Sequence, residues 1–167
     1  MQNSPPELDQ VFGSAFLKLA VLLVFALGGT LIYQHATRPE MEVLSQGELR
    51  LQRQHDGHYH VNGRINGTPV KFLLDTGASL VSVSREIARK AGLECDAPAS
   101  FTTANGRVRG CVAQRTEIEF GGFRVFDVDI AIMPLNDSPA LLGMNVLGRF
   151  DLQQSDGVLS IRAKQVK

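Results

Sequence analysis

Residues 71–79 read KFLLDTGAS. An apolar run, Phe72-Leu73-Leu74, leads into an acid, a hydroxyl, a glycine and two small residues. Leu73 and Leu74 predict a buried strand, so the carboxylate of Asp75 leaves the core from a fixed position. Thr76 can lend its hydroxyl to a neighbouring backbone group, and Gly77 lets a backbone N–H come close to the carboxylate. Ala78 and Ser79 leave space for a substrate or for a second copy of the loop. Such tripeptides also mark ordinary turns in β proteins, so the surroundings must decide.

Outward from this stretch the sequence has the texture of short strands broken by glycine. Before it, Glu48–Arg53 alternates, His55-Asp56-Gly57 turns, His58–Ile65 returns, and Asn66-Gly67 supplies the positive φ values of a tight hairpin leading into Val70–Leu74. After it, Ser84–Gly92 predicts a short helix, with Ser84 as N-cap and Gly92 closing it. Phe101–Thr103 and Val108–Val112 flank Asn105-Gly106, and Thr116–Phe120 and Phe123–Phe126 flank Gly121-Gly122. Val128–Met133 is a further apolar strand ended by Pro134. A helical turn over Met144–Leu147 precedes two strands, Phe150–Gln153 and Val158–Ile161, joined at Ser155-Asp156-Gly157. Seven or more strands with one or two helices predict a small, mostly-β barrel over residues 47–167.

Three segments in this order resemble the aspartic proteases. Phe72–Ser79 resembles their active-site loop, with Asp75 catalytic and Thr76, Gly77, Ala78 and Ser79 supporting it. Thr103, Ala104, Asn105 and Gly106 fall where that family carries its substrate-covering flap. The run Ala140–Leu147 looks like the segment that backs the catalytic loop, with Leu141, Leu142 and Gly143 as its motif. The resemblance covers residues 47 to about 162 and is closest to the retropepsin-like, single-domain branch, especially bacterial members with one N-terminal membrane helix; Ala78 fits that branch. It implies a retropepsin-like barrel, hydrolysis of extended peptides without a metal or organic cofactor, and a Thr76 that braces the opposite loop.

Peptide hydrolysis by an activated water needs two carboxylates. Asp56, Asp96, Asp127, Asp129, Asp137, Asp151 and Asp156 are not followed by Thr-Gly or Ser-Gly after an apolar strand, and the segment is about half the size that two lobes would need. A two-fold homodimer answers both points, since Asp75 near the axis would face Asp75 of a second copy. Two carboxylates about 3 Å apart share one proton. The ionised member would deprotonate water, and the protonated one would donate to the peptide carbonyl. The alternative, from another class, is a membrane-tethered binding or regulatory module that keeps the barrel and has little catalysis.

Residues 11–33 (VFGSAFLKLAVLLVFALGGTLIY) carry Lys18 as their only charge. A helix of that length covers a hydrocarbon layer of roughly 30 Å, so residues 11–33 are expected to be a transmembrane anchor, residues 1–10 a short tail and residues 34–46 a linker. A cleaved signal peptide is the competing assignment, disfavoured by the acidic residues Glu7 and Asp9 ahead of the run. Lys18 against Arg38, Arg50 and Arg53 leans weakly toward a cytoplasmic C-terminal segment. The family resemblance implies instead an inner-membrane protein with its barrel in the periplasm.

Seventeen basic and seventeen acidic side chains leave no formal net charge. No basic patch with interleaved aromatics is present, and nucleic acid is not an expected partner. His55, His58 and His60 cluster around Asp56, but no further histidine follows to complete a metal site, nor to activate a serine or cysteine nucleophile. Cys95 and Cys111 are expected to be two separate buried thiols, with a disulfide as the alternative outside the cytoplasm.

Overall fold

The computed structural model describes residues 18–30, 41–43, 47–103, 106–134 and 139–164. Tight reversals at the predicted glycines organise it. Strands β3 (His60–Ile65) and β4 (Thr68–Leu74) meet at Asn66-Gly67, whose φ values are +46° and +78°. Strands β7 (Gly106–Phe120) and β8 (Phe123–Met133) meet at Gly121-Gly122 (+53° and +88°), and β10 (Phe150–Ser155) and β11 (Val158–Ala163) at Asp156-Gly157 (+49° and +75°). Two consecutive positive φ values give the two-residue turn whose twist matches that of the strands it joins.

The remaining elements are β1 (Met41–Val43), β2 (Glu48–Gln52), β5 (Val81–Ser84), α2 (Arg85–Lys90), β6 (Ala97–Thr103), β9 (Ala140–Leu142) and α3 (Met144–Leu147). The larger sheet runs β1-β8-β5-β9-β4-β3-β7-β6, and β8 also pairs with β7. That extra pairing closes β8, β5, β9, β4, β3 and β7 into a six-stranded barrel, with β1 and β6 attached outside. Closure removes edges that would otherwise template further pairing. A second sheet, β10-β11-β2, joins the start of the segment to its end. The expected mostly-β barrel is therefore present.

The core follows from inward-facing residues of these strands. Ile65, Phe72, Val81, Val83, Ile118, Val125, Ile130, Leu142 and Ile161 are buried. Phe120, Phe123 and Phe150 form an aromatic cluster with ring centroids 4.8–5.7 Å apart. Each such pair contributes about 0.5–1.5 kcal/mol beyond its burial.

Helix α2 ends as its sequence requires. The Ser84 hydroxyl accepts the Ile87 N–H at 3.2 Å. At the other end Leu93 N–H donates to Ala88 and Gly92 N–H to Arg89, around Gly92 at φ +63°, a glycine-dependent helix stop.

Three features depart from the sequence expectation. Met41–Val43, inside the expected linker over residues 34–46, pairs with Phe123–Val125 as β1; three residues are too few to show a period of two. Val81–Ser84 forms the fully buried β5, whose Ser-rich sequence hides a strand covered on both faces. Thr116–Phe120 and Val128–Met133 are parts of longer strands, not separate ones. Between Ala113 and Thr116 the extra residue lies on β7, and between Thr116 and Ile118 it lies on β8. Arg115 and Asp127 take φ +53° there, so one bulge offsets the other and the register recovers.

Residues 18–30 form a separate helix, α1. Leu19, Leu22, Leu23, Val24, Phe25 and Leu27 on it are more than half exposed. Among the described residues no helix is long and apolar enough to cross a membrane; residues 11–17 and 31–33 of the expected anchor lie outside them.

Candidate active site

Strand β4 delivers the chain to Asp75, yet the next strand, β5, is not its neighbour. Strand β9 lies between them, parallel to β4 through Phe72↔Ala140, Leu73↔Leu141 and Leu74↔Leu142. The loop of residues 75–80 therefore bridges over the end of β9. Asp75 N–H continues the ladder by donating to the Leu142 carbonyl at 3.1 Å.

The loop is then fastened from below. Met144 N–H donates to Ala78 at 2.8 Å and Asn145 N–H to Ser79 at 3.0 Å. Gly143, where β9 passes into α3, is buried tightly against this bridge. A Cβ there would collide with the Leu80 carbonyl and lie 2.9 Å from the Ala78 carbonyl oxygen. Leu141, Leu142 and Gly143 thus run beneath the loop of residues 75–80.

Asp75 itself is half-buried. Gly77 N–H donates to its Oδ1 at 2.8 Å, fixing that oxygen against the turn. A Cβ on Gly77 would come within 3.1 Å of that same Oδ1, so the glycine permits the close approach. Ala78 N–H donates to the Asp75 carbonyl at 3.3 Å and tightens the turn. The Thr76 and Ser79 side chains are exposed.

One brace was not picked out from the sequence. The side chain of Asn145 accepts the Val81 N–H at 2.9 Å and donates to the Asp129 carbonyl at 2.8 Å. It ties the exit of the loop to β8. The signal was available: a lone amide in the apolar run ALLGMNVL must find partners once its neighbours are buried. Arg149 extends the brace, donating to the carbonyls of Asn145 and Phe126 at 3.0 Å each. The Phe126 carbonyl lies beside the β8 bulge.

The expected flap is the hairpin of β6 and β7, with Thr103 and Gly106 as its last pair and the Thr103 hydroxyl donating to Gly106 at 2.9 Å. Ala104 and Asn105, its tip, lie outside the described residues. At the base of the hairpin Cys95 and Cys111 form a disulfide, with Cα atoms 5.6 Å apart, inside the usual span for such a bond. The expectation of separate thiols is thus corrected. Hairpin register puts Cys111 opposite Pro98, which brings Cys95, three residues earlier, within reach. Closing this loop of 16 residues is worth about 3 kcal/mol by the chain-entropy account.

The histidine cluster has a local structural role. Asp56 accepts the His58 N–H at 2.9 Å and pairs with His60 Nε2 at 2.7 Å. The His58 amide bond first, then the His60 bond, hold the Asp56 carboxyl below the ordinary aspartate value. Among the described residues no group of three His, Cys, Asp or Glu side chains could hold a metal.

Comparison with known proteins agrees with this geometry. Residues 61–149 match the family model described as "gag-polyprotein putative aspartyl protease". Among proteins of known sequence, the chain is 32% identical over 108 residues to the uncharacterized protein RP867 of Rickettsia prowazekii, covering 62% of this chain and 46% of that one. It is 29% identical over 116 residues to an uncharacterized Sinorhizobium protein from the region 5′ of cobV, covering 65% and 48%. The chain thus spans about half the length of each. Among solved structures it is similar to a retropepsin-like aspartic protease from Rickettsia conorii, with 28% identity, a TM-score of 0.60, and coverage of 74% of this chain and 93% of that one. The protease of EIAV, solved with the inhibitor HBY-793, shares the fold at 18% identity and a TM-score of 0.50, covering 57% and 89%.

Proposed function

The chain belongs to the retropepsin-like aspartyl proteases of the gag-polyprotein type, and on that premise we propose that it is a membrane-anchored aspartic endopeptidase that works as a homodimer. The observation that carries this is the seat of Asp75. One carboxylate is held by the Gly77 N–H on a loop that is braced from beneath and whose Thr76, Gly77 and Ser79 are exposed. Each chain supplies one such loop, so the second carboxylate is the same residue of a second copy. The two would hold a water between them. The ionised Asp75 takes its proton as it attacks the peptide carbonyl, and the protonated Asp75 donates to the carbonyl oxygen. Roles reverse when the amine leaves.

The other parts take their roles from this arrangement. Thr76, exposed beside the acid, would brace the partner's loop. The hairpin ending at Thr103 and Gly106, with Ala104 and Asn105 between them, would cover an extended substrate held by main-chain bonds. The exposed apolar surface of α1 supports residues 11–33 as a single-pass anchor. Two copies confined to one membrane meet at a higher effective concentration. The Cys95–Cys111 disulfide supports a barrel on the periplasmic side, because such bonds persist in oxidising compartments.

The deciding experiment sets the native chain beside Asp75→Asn on a library of extended peptides. Cleavage by the native protein alone is expected; equal cleavage by both, or by neither, would leave a binding module with a protease fold.

A further inference from the structure

The disulfide lies where the β6–β7 ribbon leaves the barrel. At Cys111 and Val112 β7 is paired on both sides, with Pro98 and Ala97 of β6 and with Ile132 and Ala131 of β8. Before Cys111 the pairing is one-sided: Gly106–Gly110 pair only with Ala99–Thr103 among the described residues. Gly110, the first of these positions, still lies so close to Ile132 that a Cβ would strike its carbonyl. One-sided pairing begins at a glycine, and the cross-link sits one residue behind it.

The bond has an accessible side, since Cys95 is exposed while Cys111 is half-buried. It also has company. Asp96 N–H donates to the Val112 carbonyl at 3.0 Å, and the Asp96 carboxylate accepts the Gln114 N–H at 2.7 Å. These bonds keep the base of the ribbon attached when the sulfurs part. Loss of the disulfide therefore loosens the ribbon without detaching it.

We propose that Cys95–Cys111 is a thiol-responsive clamp on the flap. In the oxidised chain the paired strands of residues 99–103 and 106–110 spring from a cross-linked base. An external dithiol attacks the exposed Cys95 sulfur, forming a mixed disulfide and releasing the Cys111 thiolate. Its second thiol then displaces Cys95, so two cysteine thiols form as the dithiol becomes a disulfide. The loosened ribbon must be ordered anew with each substrate bound, which weakens substrate binding. This consequence for substrate rests on the protease function proposed above; the clamp does not.

The test uses the full-length chain in detergent micelles, with and without dithiothreitol, and thiol counting to verify reduction. Hydrogen exchange over residues 99–110 is expected to accelerate on reduction while β3 and β4 stay protected, and reoxidation restores the slow rate. In peptide cleavage KM is expected to rise roughly three- to tenfold, the scale of ordering a few residues on binding, with kcat changed less. The Cys95→Ala/Cys111→Ala protein should show the raised KM and ignore dithiothreitol. If the double variant fails to fold, the exchange comparison on the native chain decides alone. Unchanged exchange after verified reduction overturns the clamp, and accelerated exchange with unchanged KM overturns its control of substrate. Accelerated exchange in a chain that cleaves no peptide in either state upholds the clamp and removes the protease function instead.

Discussion

The side-chain oxygen of Asn145 accepts the Val81 N–H at 2.9 Å across 64 positions of sequence, and through this bond the end of the Asp75 loop is tied to the helix that follows β9. The same amide donates to the Asp129 carbonyl. Asn145→Ala strands a backbone donor and a backbone acceptor in a half-buried place. A stability loss of about 1–3 kcal/mol is expected in urea unfolding. Cleavage should fall too, because the loop is released at one end. Asn145→Asp keeps the acceptor for Val81 and loses the donor to Asp129, so it should fall between the two.

Gly143→Ala tests the fit beneath the loop. Its methyl group would meet two backbone carbonyls, which cannot yield as a flexible side chain would. Overpacking of this kind costs about 1–3 kcal/mol. The expected result is a lowered denaturation midpoint together with a larger loss of activity than stability alone explains. A variant with native midpoint and activity would mean that the passage is looser than described.

Subunit mixing tests the shared site. Unlabelled Asp75→Asn chains added in excess to native chains should suppress cleavage in proportion to the heterodimer formed, since each mixed pair holds one acid. General acid–base catalysis contributes about 10²- to 10⁴-fold, so residual activity should follow the remaining native pairs. Activity that stays constant as inactive chains are added, with exchange between subunits verified, would show a monomeric catalyst.

Asp56 predicts an acid limb in stability. Its folded-state carboxyl is held below the ordinary value of 3.8 by the His58 amide and His60. A depressed folded value stabilises the protein above the unfolded value, and this contribution is lost as pH falls through the folded one. The gap between native protein and Asp56→Asn should be full near neutrality and shrink below about pH 4. A gap that stays constant down to pH 2 would mean that the turn does not depend on the ionised acid.

The strand and turn around Asp75 are legible in residues 71–79 because every element of that signal is local: an apolar strand, a small-residue turn, a glycine. The Asn66-Gly67, Gly121-Gly122 and Asp156-Gly157 turns were legible for the same reason, as positive φ selects so few residue types. What escaped the sequence is non-local. Val81–Ser84 becomes a strand only because β8 and β9 flank it. Cys95 and Cys111 pair only once the β6–β7 register is set. Asn145 gains its role by reaching Val81 and Asp129, neither of which its neighbours in sequence reveal. The offsetting bulges at Arg115 and Asp127 likewise depend on a partner strand, and reading each strand alone split them in two.

Insertion of β9 between β4 and β5 sets an order of events during synthesis. Asp75 leaves the ribosome well before Leu142, whose carbonyl receives its amide, and before Asn145, which ties down the far side of its loop. Pairings so distant along the chain form late, after the entropy of closing a long loop has been overcome. A nascent polypeptide therefore carries its acid on an unseated segment until the last quarter of the barrel emerges. Any activity that depends on a seated Asp75 would therefore be withheld by topology until β9 and α3 have joined the barrel.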